Sequence, residues 1–269
     1  MVRKNSIFLV ALLTALTLTA TLAPTALAKN SKPPPAQYNG PPISGLRASA
    51  ADFSGETPGI GTIDKATCTD GTDLGGGNIR INCDAIDLPH NEMSIAVDPA
   101  NPNHIVAGSN DYELFFQGGS VVQRIIAGYY TSFDGGTTWL NGHINPDGFT
   151  FNGDPGLAFN TKLGLVHYVT INSNGGQAAG FATASILLST SNDGGQTFGF
   201  PKVVAVGTGS SRNVLFNDKP YTTVDNNPSS PFYGRLYVTW THFTFDQFGR
   251  YISSPIFLSF SDDGGQTFS

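Results

Sequence analysis

The chain has 269 residues, among them 32 glycines and 17 prolines, with 13% charged side chains and a formal net charge of -6. A chain of that length buries a sizeable core, and its composition favours many short strands joined by turns over long amphipathic helices. The acidic balance disfavours nucleic acid and anionic membrane surfaces as partners.

Residues 1–28 read as a secretory signal: basic Arg3 and Lys4, an apolar run from Ile7 to about Leu22, helix-breaking Pro24, and small residues at Ala26-Leu27-Ala28. Cleavage after Ala28 would leave a secreted chain with no membrane attachment. Residues 29–62 carry Pro33-Pro34-Pro35 and Pro41-Pro42 among small polar residues and read as an extended linker. Within 63–88 the only cysteines, Cys68 and Cys83, bracket a loop containing Gly75-Gly76-Gly77. In an exported chain such a pair is expected to close a disulfide, because a metal pair needs further ligands close by. Asp70 and Asp73 lack the spacing of an EF-hand loop, and His90, His104, His143, His167 and His242 lack metal-ligand spacing. Neither a metal nor a cofactor is expected.

From residue 89 onwards one order of strands recurs in three units, about 89–152, 153–216 and 217–269. In the first, 93–98 and 104–108 are short apolar strands around a Pro/Asn turn, 124–130 is a third, and 139–144 a fourth. In the second the strands are 156–160, 165–171, 184–190 and 203–206, and in the third 221–225, 235–241 and 256–260.

After each third strand comes S-x-D-G-G-x-T-[WF]. The copies are Ser132, Asp134, Gly136, Thr138 and Trp139; Ser191, Asp193, Gly195, Thr197 and Phe198; and Ser261, Asp263, Gly265, Thr267 and Phe268. Each residue type suits a tight turn between antiparallel strands. The carboxylate accepts backbone N–H groups, adjacent glycines supply positive φ, the hydroxyls tie the ends together, and the aromatic packs inward. This motif resembles the Asp box, or bacterial neuraminidase repeat, of sialidase-like β-propellers. The runs Ser94-Ile95-Ala96-Val97-Asp98-Pro99, Asp154-Pro155-Gly156-Leu157-Ala158-Phe159 and Gly234-Arg235-Leu236-Tyr237-Val238-Thr239-Trp240 extend the resemblance over roughly 92–269. The implied fold is an all-β propeller of four-stranded antiparallel blades, here about three blades and therefore incomplete. Propellers close with roughly four to eight blades, so the remaining blades are expected from a longer chain, of which this is the N-terminal part, rather than from a second copy.

The resemblance also implies an activity, exo-α-sialidase-like hydrolysis of a terminal sugar, with a glycan or glycoconjugate as partner. Sialidases combine an arginine cluster for the substrate carboxylate, an aspartic acid as acid/base and a glutamate-activated tyrosine. The Arg-Ile-Pro motif expected on the opening strand is replaced by Asn91-Glu92-Met93-Ser94-Ile95, and Arg124-Ile125-Ile126 lies on a third strand without the proline. Asp111 matches the position of the acid/base aspartate, although a loop aspartate also serves turns. Glu92, Asp154 and Asp218 open the three units and can converge on a central channel or cap backbone N–H groups there. Tyr112, Phe115, Phe116, Trp240 and Phe243 are candidates for stacking on sugar rings, with Trp240 reading as core. The competing reading is a non-catalytic exported propeller that binds glycan or protein at the cell surface.

Overall fold

A computed structural model of the chain describes residues 67–68, 79–82, 88–117, 120–145, 151–173, 184–208 and 213–269. The signal, the proline-rich linker and Cys83 lie outside them, as do the side chains of Phe115, Phe116 and Arg124. Cys68 is in a strand, and its pairing with Cys83 falls outside the described residues.

All regular structure among the described residues is β. The first sheet contains β1 (Thr67–Cys68), β2 (His90–Asp98), β3 (Asn101–Gln117), β4 (Ser120–Ser132) and β5 (Trp139–His143). From β2 to β5 consecutive strands pair antiparallel, and β1 adds to the outer side of β5 through Thr67↔Leu140 and Cys68↔Trp139. The second unit repeats this with β6 (Phe151–Asn160), β7 (Leu165–Ser173), β8 (Ser185–Ser191) and β9 (Lys202–Ala205). In the third, β10 (Asn213–Val224) pairs β11 (Leu236–Asp246), and β11 pairs β13 (Ile256–Ser261) over one part and β12 (Tyr251–Ser253) over the other. Strand β1 was not legible in the sequence, because two residues show no alternation; the edge of β5 selects them.

Neighbouring units meet at isolated parallel bridges, Ile125↔Phe151 and Ala184↔Phe216, each joining a third or pre-third-strand residue to the next unit's first strand. Among the described residues the sheets do not close on themselves. Side chains alternate across each strand, so each sheet offers one face to the unit before it and one to the unit after. Between units one and two lie Val106, Ala127, Tyr129, Ile144, Leu157, Phe159, Val166 and Tyr168, with Phe198 against them. Between units two and three lie Ala158, Val169, Ile171, Ile186, Leu188, Val224, Leu236, Val238 and Trp240. Strand β7, covered on both faces, is buried at every position after Leu165.

Gly234 approaches the stem of Lys162, and Gly156 lies close to Pro220 of the third unit, so the units also touch through their turns and first strands. The free face of the first unit is partly covered by the preceding segment: Ile81 packs on Ala107, Tyr130 and Trp139, and Asn141 Nδ2 donates to the Ile81 carbonyl at 3.1 Å. Met93, Ile95 and Val97 remain exposed on β2, as do Ile256 and Leu258 on β13.

Candidate functional site

Two ends of the strands carry different chemistry. The motif turns occupy one end and repeat the same bonds. Ser132 Oγ donates to Asp134 Oδ1 at 2.9 Å, Gly136 N donates to Ser132 Oγ at 2.8 Å, and the Thr138 hydroxyl donates to Asp134 Oδ2 at 2.7 Å. The second turn has the corresponding bonds at 2.7, 2.7 and 2.5 Å, and the third at 2.7, 2.8 and 2.6 Å. Paired glycines in each turn, such as Gly135 and Gly136 at φ 73° and 92°, take the left-handed conformation that other residues adopt at a cost. The Thr138 hydroxyl and N–H hold the Asp134 carboxyl down at about 2, and Thr267 drives Asp263 lower in the same way. These turns bond their polar groups within themselves, and the second turn also accepts bonds from the first unit. Tyr129 OH donates to the Gln196 carbonyl at 2.9 Å and Thr131 Oγ1 to the Gly195 carbonyl at 2.6 Å.

The opposite end gathers the acids. Each first strand breaks register there, between Asn91 and Ser94, Gly153 and Gly156, and Asp218 and Tyr221. Inside each break one non-glycine residue has positive φ: Glu92 at 55°, Asp154 at 51° and Lys219 at 46°. Such outliers persist only where the surroundings over-determine them. The expected alignment of Asp218 with Glu92 and Asp154 is therefore corrected by one residue. Asp218 matches Asn91 and Gly153, and Lys219 stands where the other units have an acid. The Lys219-Pro220 pair, set beside Asp154-Pro155, was the sequence signal for this, obscured because Asp218 offered an acid one position earlier.

The three positions converge. Lys219 Nζ meets Glu92 Oε2 at 2.5 Å across the first and third units. Burial opposes charging Lys219, but Glu92 and Asp154 together raise its pKa. Burial raises the Asp154 carboxyl above its usual range despite a bond from Asn110 and the nearby Lys219 charge. Burial likewise raises Asp218.

Asp111 lies beside this group in a different environment. His90 and Asp111 are cross-strand partners, as are Asn91 and Asn110. Asp111 Oδ1 accepts the Ser109 hydroxyl at 2.5 Å and the Tyr130 hydroxyl at 2.8 Å, with His90 Nε2 3.4 Å away. His143 Nε2 donates to Oδ2 at 3.1 Å. Burial pushes the Asp111 carboxyl up, but His143, His90 and Ser109 outweigh it and hold the group below the usual carboxylate range. Gly128 makes room: a Cβ there would lie 2.1 Å from Asp111 Oδ2.

Asn110 connects the two environments. Its Nδ2 donates to Asp154 Oδ1 at 3.2 Å, and its Oδ1 accepts the Asp154 N–H at 2.6 Å. The structure thus brings Glu92, Asp154, Lys219 and Asp218 together, with Asp111 one residue along β3 from their bridge. Ser109, Asn110, Tyr130, His90 and His143 had no distinguishing sequence signal, because their roles depend on cross-strand register.

The other candidates are placed elsewhere. Trp240 is buried in the core between units two and three, Phe243 is half-buried and stacks on Phe245, and Tyr112 accepts a bond from Asn91 Nδ2 at 3.3 Å. His167 is buried, which drives its pKa down to about 4. Arg235 pairs with Asp262 at the turn end, and Arg250 with Asp246 on the β11–β12 hairpin. Among the described residues no group of three or more His, Cys, Asp or Glu is arranged to hold a metal ion.

No protein-family model matches this chain, and no curated protein does. Solved structures with a similar fold include a Hadza microbial sialidase, at 16% identity and a TM-score of 0.47 over 66% of this chain and 36% of that one. The intramolecular trans-sialidase of Ruminococcus gnavus gives 12% and 0.44 over 68% and 60%. Trypanosoma rangeli sialidase gives 15% and 0.42 over 67% and 30%. The chain therefore spans about a third of the first and third of these proteins.

Proposed function

We propose that the three units are consecutive blades of an exported, sialidase-like β-propeller whose acidic end binds a glycan and hydrolyses a terminal glycosidic bond. The observation that carries this reading is that two neighbouring carboxylates, Asp111 and the Asp154 that Asn110 bonds, sit in surroundings that move their proton affinities in opposite directions. Asp111 is held ionised by hydroxyl and imidazole donors, and burial biases Asp154 towards its protonated form. Glycoside hydrolysis needs that division: one carboxyl supplies a proton to the leaving oxygen while a carboxylate supports the positive charge developing on the sugar. In this scheme Asp154 is the acid, Asp111 the carboxylate, and Glu92, Lys219 and Asp218 set the polarity of the rim. Further blades of a longer chain would cover the open faces of the first and third units, with a second copy as the lesser alternative.

The test is release of terminal sugar from α-sialosides and from neutral glycosides by the secreted full-length product. Asp154→Asn is expected to lower kcat at least about a hundredfold, the usual scale of general-acid loss, while leaving the fold intact. The rate should fall as pH rises through the elevated Asp154 pKa, because the acid must carry its proton.

Non-catalytic glycan binding is the second reading, favoured by one feature: both Asp111 oxygens are already bonded within the protein. Glycan retention without turnover, unchanged by Asp154→Asn, would select it.

A further inference from the structure

His104 lies far from the acidic end, in the contact between the first two units, and both of its ring nitrogens face oxygen acceptors. Nε2 is 2.7 Å from the Gly194 carbonyl of the second motif turn, and Nδ1 is 3.3 Å from Asp98 Oδ2 at the β2–β3 turn. The ring stacks on Phe133 at 4.6 Å and meets the edge of Phe159 at 4.8 Å, and the residue is 8% exposed. A carbonyl cannot donate, and an ionised carboxylate cannot either. A neutral imidazole has one N–H, so either tautomer satisfies one oxygen and turns a lone pair on the other. Two N–H groups satisfy both, and burial makes an unmade bond costly.

We propose that His104 is a protonation-dependent latch between the first and second units. The imidazolium donates across the interface to Gly194 and back to Asp98, and the neutral ring gives up one of the two bonds. Asp98 is the carboxylate in contact, its other oxygen accepting the Ala100 N–H at 2.8 Å. Asp134, next to Phe133, closes its carboxylate on Thr138, and Asp193, next to Gly194, closes its own on Thr197. From β6, Phe159 contributes an uncharged ring. Two further bonds between the second turn and the first unit, from Tyr129 and Thr131, join hydroxyls to carbonyls and do not change between neutral and mildly acidic pH.

The next interface supplies an internal control. Ile105 is opposite Ser132 and Val166 opposite Ser191, so Leu165 occupies in the second unit the place of His104 in the first. There the third turn rests Gly264 against Leu165 and Leu163, an apolar contact with nothing to titrate. The latch thus belongs to the first of the two blade contacts and has no equivalent at the turn of the second.

Urea unfolding of the full chain would be followed from about pH 5 to pH 8, the range in which imidazole changes charge, for wild type, His104→Leu and Asp98→Asn. Relative to His104→Leu, wild type is expected to lose stability as pH rises across this range, because the neutral ring keeps only one of the two bonds. Asp98→Asn should flatten that dependence, because its amide can donate to the neutral ring. A constant difference between wild type and His104→Leu across the range would overturn the proposal. If a variant does not fold, ring-nitrogen NMR shifts of wild type decide the matter. Two protonated nitrogens on His104 at the acidic end of the range support the latch, and one protonated nitrogen throughout overturns it.

Discussion

Carboxylates that look alike in the sequence differ by the donors that reach them. In Asp193, burial opposes ionisation, but the Thr197 and Ser191 hydroxyls and two backbone N–H groups outweigh it and lower the pKa. A folded-state pKa below the unfolded value contributes stability above the ordinary aspartate value of about 3.9, and that contribution is lost as pH falls through the folded value. Acid unfolding should therefore steepen below about pH 4, and Asp193→Asn should remove part of the steepness in a circular-dichroism titration. At the other end of the strands, the site depends on a missing side chain. Gly128→Ala places a methyl 2.1 Å from Asp111 Oδ2, so the carboxylate or β4 must shift. A loss of about 1–3 kcal/mol in chemical denaturation is expected for such overpacking. The same substitution should weaken the Asp111 bonds to Ser109, Tyr130 and His143.

Within each first strand the register break sets where the acidic end begins. The extra residue turns Glu92, Asp154 or Lys219 out of the alternation that runs through the rest of the strand, and positive φ is the backbone cost of doing so. Lys219 allows strain and charge to be separated. Lys219→Gly and Lys219→Ala both remove the ammonium beside Glu92, but glycine adopts a φ of 46° with little penalty and alanine does not. The glycine variant is expected to be more stable than the alanine variant by about 1 kcal/mol, read from the two urea midpoints. Equal midpoints would mean that the break carries no strain at this position. Its ion pair is partly exposed on both sides, so its own contribution is small beside that difference.

On the scale of the whole arc, the two internal contacts are well buried and the two terminal faces are not. Met93, Ile95 and Val97 are 75%, 65% and 49% exposed, and Ile256 and Leu258 are 69% and 57% exposed. The row on β2 is the continuation of an interface-forming sheet face, and among the described residues β13 pairs on one side alone, with β11. The chain on its own is expected to associate as its concentration rises. Ile95→Lys combined with Leu258→Lys should reduce that association in sedimentation velocity without changing the far-ultraviolet spectrum. If the double variant associates as wild type does, the contacts lie elsewhere on the surface.

The sequence by itself determined the all-β class, the main strands of each unit, without β1 and β12, and the residues of the three turns. Those features are local: alternation at period two and the chemistry of Ser, Asp, Gly and Thr in one tight turn are written within eight residues. Tertiary structure decided which distant residues share a site. Register breaks moved the third equivalent position from Asp218 to Lys219, cross-strand pairing put His90 opposite Asp111, and packing between units brought Asn110 to Asp154 and His104 to Gly194. None of these pairings has a local signature. Each depends on a shift of one residue in register or on contact between units, and the sign and size of the resulting pKa shifts depend on burial that only the assembled sheets create.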